Sequence, residues 1–175
     1  MRNPIARALV LLLAVCLSSC GLIKFDVSQD LPKQTVPGSP LGGLLPSFVP
    51  VPIPLTIDLK AETAKQGTGP ATGATLKSLV LTITPHNAPV GTFDFISEVH
   101  ISIGPRDSGS TLPVKEIANM TNVPKGLTTL TFTILPDVEL LPYINAGAQL
   151  TGTAKGTQPS KDVSYDGQVV VTVKI

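Results

Sequence analysis

The residues with the most defined chemistry stand at the end of a short apolar segment near the N-terminus. Leu17-Ser18-Ser19-Cys20-Gly21 places a thiol directly behind two small residues. Among the common side chains only a thiol forms a stable thioether, and small residues at 18 and 19 let a protease approach the backbone. The sequence therefore predicts cleavage between Ser19 and Cys20, with Cys20 as the first residue of the mature chain.

The segment in front of Cys20 has the layout of a secretory signal. Arg2 and Arg7 supply a positive start, and residues 8–17 form the apolar region that follows it. The alternative is a signal anchor or transmembrane helix, which the length disfavours because a membrane-spanning helix needs ~20 apolar residues. We expect residues 1–19 to be removed.

Leu17-Ser18-Ser19-Cys20 resembles the lipobox that signal peptidase II reads in bacterial lipoproteins. The resemblance implies that Cys20 becomes a diacylated mature N-terminus, anchored in the cell envelope by palmitate-type chains, since stable anchoring takes more than one chain. Gly21 is not the aspartate associated with inner-membrane retention, so the outer membrane is the expected location. The membrane is thus the first predicted partner, through lipidated Cys20.

Composition excludes several classes of function for the mature chain. Cys16 lies in the removed segment, so no thiol is left for disulfides, thiolate catalysis or thiolate metal sites. Loss of Arg2 and Arg7 changes the net charge from +1 to −1, and the remaining basic residues are scattered singly. A nucleic-acid surface needs clustered cations, and we expect no nucleic-acid partner. Tryptophan is absent, which disfavours a stacking platform for sugars or bases.

A proline- and glycine-rich stretch precedes the regular part of the chain. Seven prolines between residues 31 and 55 fix φ and remove backbone donors, which predicts an extended, semi-rigid segment. Its apolar side chains indicate either packing across the domain or a docking strip for a partner, and scarce charge favours packing. We divide the chain into signal peptide (1–19), lipidated N-terminus and tether (20–54), and folded domain (55–175).

From residue 55 onward, apolar and polar residues alternate with a period of two, which predicts half-buried strands. The strong runs are 55–60, 79–84, 93–103, 129–134 and 168–175, and weaker ones are 112–118 and 148–154. Turn-forming residues separate them. A helical turn is expected over 137–145, stopped by Pro142. About seven antiparallel strands predict an all-β sandwich, immunoglobulin-like in the broad sense, with a small closed barrel as the alternative.

The runs 93–103, 123–126 and 137–143 are similar to an arrangement in uncharacterised surface lipoproteins of Gram-negative bacteria. The similarity spans about residues 76–175 and its motifs are loose strand patterns. The similarity implies a β-sandwich fold, and it implies no known activity.

Candidate polar sites give weak signals. His100, Glu98 and Asp94 share one strand face by alternation, but Asp94 and His100 stand ~20 Å apart at ~3.3 Å per residue, so one ion cannot bridge them. Asp107-Ser108-Gly109 looks superficially like the surroundings of a nucleophile, with His86 and Asp94 as imagined partners, but no nucleophile elbow is present. We therefore assign no catalytic residue, no metal site and no cofactor.

The remaining motifs are expected to be structural. Asp162, Asp166 and Gly167 lack the carboxylate spacing of an EF-hand, and a hairpin turn at Asp166-Gly167 is expected instead. Gly67-x-Gly69-x-x-x-Gly73 lacks the ending of a phosphate loop. The alternating threonines 129, 131 and 133 suit an exposed sheet face, or an edge that accepts a partner strand.

Taken as a sequence, the chain is expected to be a non-enzymatic, lipid-anchored structural or interaction module of the envelope, with a possible envelope protein as partner. The alternative is a carrier of a lipid or another apolar small molecule, in which the aliphatic interior is a cavity. A third hypothesis, an envelope hydrolase, is disfavoured because the sequence has no recognisable arrangement of catalytic residues.

Overall fold

A computed structural model describes residues 23–41, 43, 53–84 and 91–175. These residues form nine strands and two short helices. The strands are β1 (Lys24–Val36), β2 (Ile53–Leu55), β3 (Gly73–Ile83), β4 (Ile96–Pro105), β5 (Lys115–Thr121), β6 (Thr129–Thr131), β7 (Thr133–Ile134), β8 (Ala148–Gly156) and β9 (Val163–Lys174). The helices are α1 (Leu59–Lys65) and α2 (Leu141–Ala146).

The strands build two antiparallel sheets. The four-stranded sheet has the order β1-β9-β3-β6, and the five-stranded sheet has the order β2-β8-β4-β5-β7. The predicted all-β antiparallel sandwich is confirmed, with nine strands where the sequence indicated about seven. Among the described residues, no helix is long and apolar enough to cross a bilayer.

The core lies between the sheets and follows from the period of two. Val169, Val171 and Val173 of β9 are buried, as are Leu79 and Leu81 of β3. Aromatic rings close one part of the interior: the ring of Phe93 lies 6.2 Å from that of Phe95 and 6.0 Å from that of Tyr165, measured between centroids. Tilted rings at this spacing are a favourable aromatic arrangement.

The first strand lies inside the range predicted to be a tether. β1 pairs with β9 from Lys24 opposite Lys174 to Val36 opposite Val163. The proline-rich stretch therefore connects β1 to β2 and does not stand between Cys20 and the domain. Sequence reasoning missed β1 because its buried aliphatics, Val27, Leu31 and Val36, do not recur every second residue, and the half-buried residues between them are Gln29 and Gln34.

The described ends of the proline-rich stretch pack on the domain. The N–H of Ser39 donates to the carbonyl of Pro159 at 2.7 Å, and the N–H of Gln158 donates to the carbonyl of Gly43 at 2.9 Å. At the other end, β2 pairs with β8. The centre of the stretch lies outside the described residues.

The strand predicted over 55–60 is wrong beyond Leu55. Leu55, Ile57 and Leu59 are all buried, as the alternation predicted. However, the side chain of Asp58 accepts a hydrogen bond from the N–H of Ala61 at 2.9 Å and caps α1. A capping acceptor satisfies one of the free donors of a first helical turn, and it begins a helix where the side-chain pattern favoured a strand.

The structure also differs from three smaller predictions made from the sequence. Asp166 and Gly167 lie within β9 and form no hairpin turn. Pro142 stands in the first turn of α2, where its missing N–H is no loss, and does not stop the helix. The run 129–134 divides at Phe132 into β6 and β7, which belong to different sheets.

Candidate functional site

The densest group of interacting charged side chains in the described chain lies on the outer face of the five-stranded sheet. Glu98 and His100 project from β4, Glu116 and Asn119 from β5, and Lys155 from β8. His100 stands opposite Asn119, and Glu98 stands opposite Lys155. We call these five residues the His100 cluster. The alternation placed Glu98 and His100 on one face, but only strand pairing brings in the other three.

Both imidazole nitrogens of His100 contact carboxylates. Nε2 lies 2.5 Å from Oε1 of Glu98, and Nδ1 lies 3.0 Å from Oε1 of Glu116. Lys155 Nζ donates to the other oxygen of Glu98 at 2.8 Å, and Asn119 Nδ2 donates to Glu116 at 2.8 Å. An imidazole that donates from both nitrogens is the protonated, charged form.

The electrostatics of the cluster follow from these contacts. Hydrogen bonds to Glu98 and then Glu116 raise the pKa of His100 above its ordinary 6.5. The hydrogen bond with His100, followed by that with Lys155, lowers the pKa of Glu98. The hydrogen bond from Asn119, followed by that with His100, lowers the pKa of Glu116. The cluster therefore joins β4, β5 and β8 through contacts that favour the protonated form of His100.

The arrangement suits cross-strand attachment better than chemistry on a substrate. Within the described ranges, no group of three or more His, Cys, Asp or Glu side chains has the geometry to hold a metal ion. Asp94 lies apart from the cluster: its side chain accepts from the N–H of Gly126 at 2.5 Å, and this bond lowers the pKa of Asp94. Asp94 precedes the first residue of β4, so the prediction that it shares one strand face with Glu98 and His100 is wrong.

The serine considered as a nucleophile lies in an ordinary turn. The side chain of Asp107 accepts from the N–H of Gly109 at 2.9 Å, and the N–H of Ser110 donates to the carbonyl of Asp107. Ser108 is exposed in this turn. His86, its imagined partner, lies outside the described residues.

The other sequence motifs are dispersed. The side chain of Asp162 accepts from the N–H of Gly38 at 2.8 Å, while Asp166 belongs to β9. Gly67 and Gly69 have open space around them in the connection between α1 and β3. The three threonines are exposed, but 129 and 131 belong to β6 and 133 to β7, so they do not share one sheet.

One cavity among the described residues bears on the hypothesis that the protein carries an apolar molecule in its interior. It has a volume of about 20 Å³ and lies between the sheets, lined by aliphatic side chains with Tyr165. Its lining includes Leu31, Ile53, Leu81, Ile101 and Leu150. Space of this size holds about one water molecule and not an acyl chain.

A second feature that the sequence did not reveal closes one side of the sandwich. The side chain of Gln29 on β1 donates to the carbonyl of Pro54 at 3.0 Å and accepts from the N–H of Thr56 at 2.7 Å. One amide thus bonds to the backbone on both sides of Leu55, at the edge of the opposite sheet.

Ser19 and Cys20, the predicted cleavage and lipidation residues, lie outside the described residues.

Comparisons with known proteins leave the chain without a family. No family model matches it, and no curated protein matches it. Among solved structures it is similar to a decameric BFDV capsid protein, with 12% identity and a TM-score of 0.42, over 87% of this chain and 99% of that one. It is also similar to a 60-mer BFDV capsid protein, with 11% identity and a TM-score of 0.40, over 90% and 95%. Similarity at this level establishes no relationship.

Proposed function

We propose that this protein is a lipid-anchored β-sandwich of the bacterial cell envelope, which acts as a non-enzymatic structural or interaction module. The observation that carries the proposal is the lipobox-like Leu17-Ser18-Ser19-Cys20 run, behind a signal-type segment and directly before a β-sandwich. The anchor would be a diacylated Cys20, and the expected location is the outer membrane.

The position of β1 refines how the module would be held. β1 begins at Lys24, so only residues 21–23 separate it from Cys20. A fully extended chain spans at most ~3.6 Å per residue, so Cys20 and Lys24 stand no more than ~14 Å apart. An acylated Cys20 would hold the sandwich close to the bilayer surface, while the described ends of the proline-rich stretch pack on the domain.

The structural role is favoured over an enzymatic one by what the polar groups do. The His100 cluster joins three strands, and the Asp107 side chain shapes a turn. Each of these groups is engaged in holding the backbone or a neighbouring strand, which supports a module that binds or spaces other components.

The cavity between the sheets, among the described residues, supports a module over a carrier of apolar molecules. A cavity of about 20 Å³ among packed aliphatic side chains leaves no room for a lipid chain. Native mass spectrometry of the full chain, released from detergent, tests this point. We expect the mass of the acylated chain alone, whereas a stoichiometric copurifying lipid would support the carrier.

The anchor is tested by labelling cells with a radioactive or clickable palmitate. We expect the wild type to be labelled and to be processed to start at Cys20, because the Cys20 sulfur would carry the labelled chains through a thioether-linked diacylglyceryl group. Cys20→Ser should be unlabelled and should keep its signal segment. Cys16→Ser is the matched control, since it removes the chain's other thiol, and it should be labelled like the wild type. Label that survives in Cys20→Ser would overturn the proposed anchor.

The interaction role is tested by photo-crosslinking in cells. A photoreactive residue at Thr131, on the exposed edge strand β6, is compared with one at Lys60 on the exposed side of α1. Capture of one envelope protein from Thr131 alone would support the interaction role. Identical background from both positions would contradict a partner on this edge.

A further inference from the structure

The longest exposed strand edge in the described part of the chain belongs to β1. β1 spans 13 residues and has a neighbour, β9, on one side only. The N–H of Ile175 donates to the carbonyl of Ile23 at 3.0 Å, so the backbone of Ile23 faces β9. Along an antiparallel strand, the N–H and C=O groups of successive residues point alternately to the two neighbouring sides. The N–H and C=O groups of Lys24, Asp26, Ser28 and Asp30 therefore point away from the sheet.

We propose that β1 pairs with β1 of a second copy of this chain, antiparallel, with Val27 opposite Val27 of the partner subunit. The two four-stranded sheets would then become one continuous eight-stranded sheet. The proposal concerns the strand edge alone, so it goes beyond the proposed envelope function and does not depend on acylation.

Backbone chemistry restricts the pairing. The four residues with outward-pointing donors and acceptors have even numbers, so an antiparallel partner must place even residues opposite even residues. In the proposed register, Lys24 lies opposite Asp30 of the partner subunit and Asp26 lies opposite Ser28 of the partner subunit. These pairs and their symmetric equivalents would use every backbone donor and acceptor that points away from β9 between Lys24 and Asp30.

Charge selects this register among the neighbouring ones. Two oppositely charged Lys24–Asp30 pairs form on the outer sheet face, and direct cross-strand pairs of opposite charge are stabilising. A shift by two residues in one direction places Asp26 opposite Asp26 of the partner subunit. A shift in the other direction places Asp26 opposite Asp30 of the partner subunit. Both shifts put like charges together, which disfavours them.

The inner face of the strand supplies the apolar part of the contact. Ile23 directly precedes β1 and is 55% exposed. In the proposed register it would lie opposite Leu31 of the partner subunit. Beyond Leu31 the pairing of β1 with β9 slips at a bulge, and Pro32 follows. A bulge and a proline end a regular edge, so the paired segment is residues 23–31.

The first test removes one outward donor without disturbing the β9 pairing. Ser28→Pro deletes an N–H that points away from β9, a place where an edge strand tolerates proline. Ser28→Ala is the matched control, because it keeps that N–H. The full-length chain is purified in detergent, and its mass is measured by sedimentation at a detergent-matched density. We expect a dimer for the wild type and for Ser28→Ala, and a monomer with an unchanged circular dichroism spectrum for Ser28→Pro.

The second test exchanges charges. Lys24→Asp or Asp30→Lys alone should weaken the dimer by about tenfold, since each places like charges in two symmetric pairs. Lys24→Asp combined with Asp30→Lys should restore wild-type dimerisation. The two residues are ~20 Å apart along one strand, so rescue can arise only between copies. Lys60→Asp on α1 should have no effect.

Three results would overturn the proposal: a wild-type chain that stays monomeric over a wide concentration range, a dimer unaffected by Ser28→Pro, or a double charge exchange that fails to rescue. None of these results bears on acylation, which the palmitate label measures separately.

Discussion

His100 shows how much of the chemistry of a single residue depends on its neighbours. Alone on a strand, it would titrate as an ordinary exposed imidazole. Between Glu98 and Glu116 its pKa is raised, mainly by the hydrogen bond to Glu98. The charged groups facing it are those two carboxylates and the Lys155 ammonium bound to Glu98. Protonation of His100 thus contributes to holding β4, β5 and β8 together.

This coupling predicts a pH-dependent stability. A group whose pKa is raised on folding binds its proton more tightly in the native state, so folding is favoured while the proton is bound. The contribution of His100 should be complete below about pH 6.5, its unfolded value, and should disappear as the pH rises through the higher folded value. Urea unfolding of wild type and His100→Gln between about pH 5 and pH 9 should show a stability difference that shrinks with rising pH.

The control for this prediction is His86→Gln, since the chain has two histidines. His86→Gln should keep the pH dependence of the wild type. A wild-type profile as flat as that of His100→Gln would show that the two carboxylate contacts do not bind the proton more tightly in the folded chain.

At the scale of elements, β9 is the strand around which the four-stranded sheet is built. It pairs with β1 on one side and β3 on the other. Gly167 lies where β3 approaches closely: a Cβ there would stand 2.5 Å from the carbonyl oxygen of Val80 and 2.6 Å from a methyl group of Leu81. The glycine was expected to serve a turn, but its role is to leave space inside a central strand.

Gly167→Ala should therefore destabilise the fold by about 1–3 kcal/mol, the usual cost of overpacking a core. Gly69→Ala is the matched control, because nothing lies within 4 Å of the added methyl group, and its stability should match the wild type. Both are measured as free energies of unfolding in denaturant. Equal stability of the two variants would mean that β3 and β9 separate at little cost.

Elements also show where local pattern and local structure diverge. The inward positions 55, 57 and 59 were predicted correctly, yet only the first belongs to a strand. The Asp58 cap and the helix-favouring residues after it decided the backbone there. A period of two identifies which side chains are buried more reliably than it identifies the backbone that carries them.

At the scale of the whole molecule, two sheets must be held together along their open sides. On the side where β1 and β2 are the edges, Gln29 links them with two hydrogen bonds to the backbone around Leu55. Its amide satisfies one acceptor and one donor of the chain that enters β2. This side chain connects the first strand of one sheet to the first strand of the other.

Gln29→Ala should lower the free energy of unfolding by about 1–2 kcal/mol, the net value of two hydrogen bonds. Gln66→Ala, at the exposed end of α1, is the control and should leave stability unchanged. Hydrogen exchange should also rise at Thr56 in the Gln29 variant, because its N–H loses the Gln29 acceptor. Unchanged exchange at Thr56 would contradict a role for Gln29 in closing this side.

The sequence by itself determined the signal-type segment, the prominence of Cys20, the all-β class and most buried positions. Each of these depends on composition or on a short repeat of residue types within one segment, and both can be read directly from the sequence. Only the tertiary structure placed β1 in the sheet and brought Glu116, Asn119 and Lys155 to His100. It alone also joined Gln29 to the backbone around Leu55 and divided the run 129–134 between two sheets. These features depend on which distant segments pair and in which register, and pairing is a property of the assembled sheets that no single segment encodes.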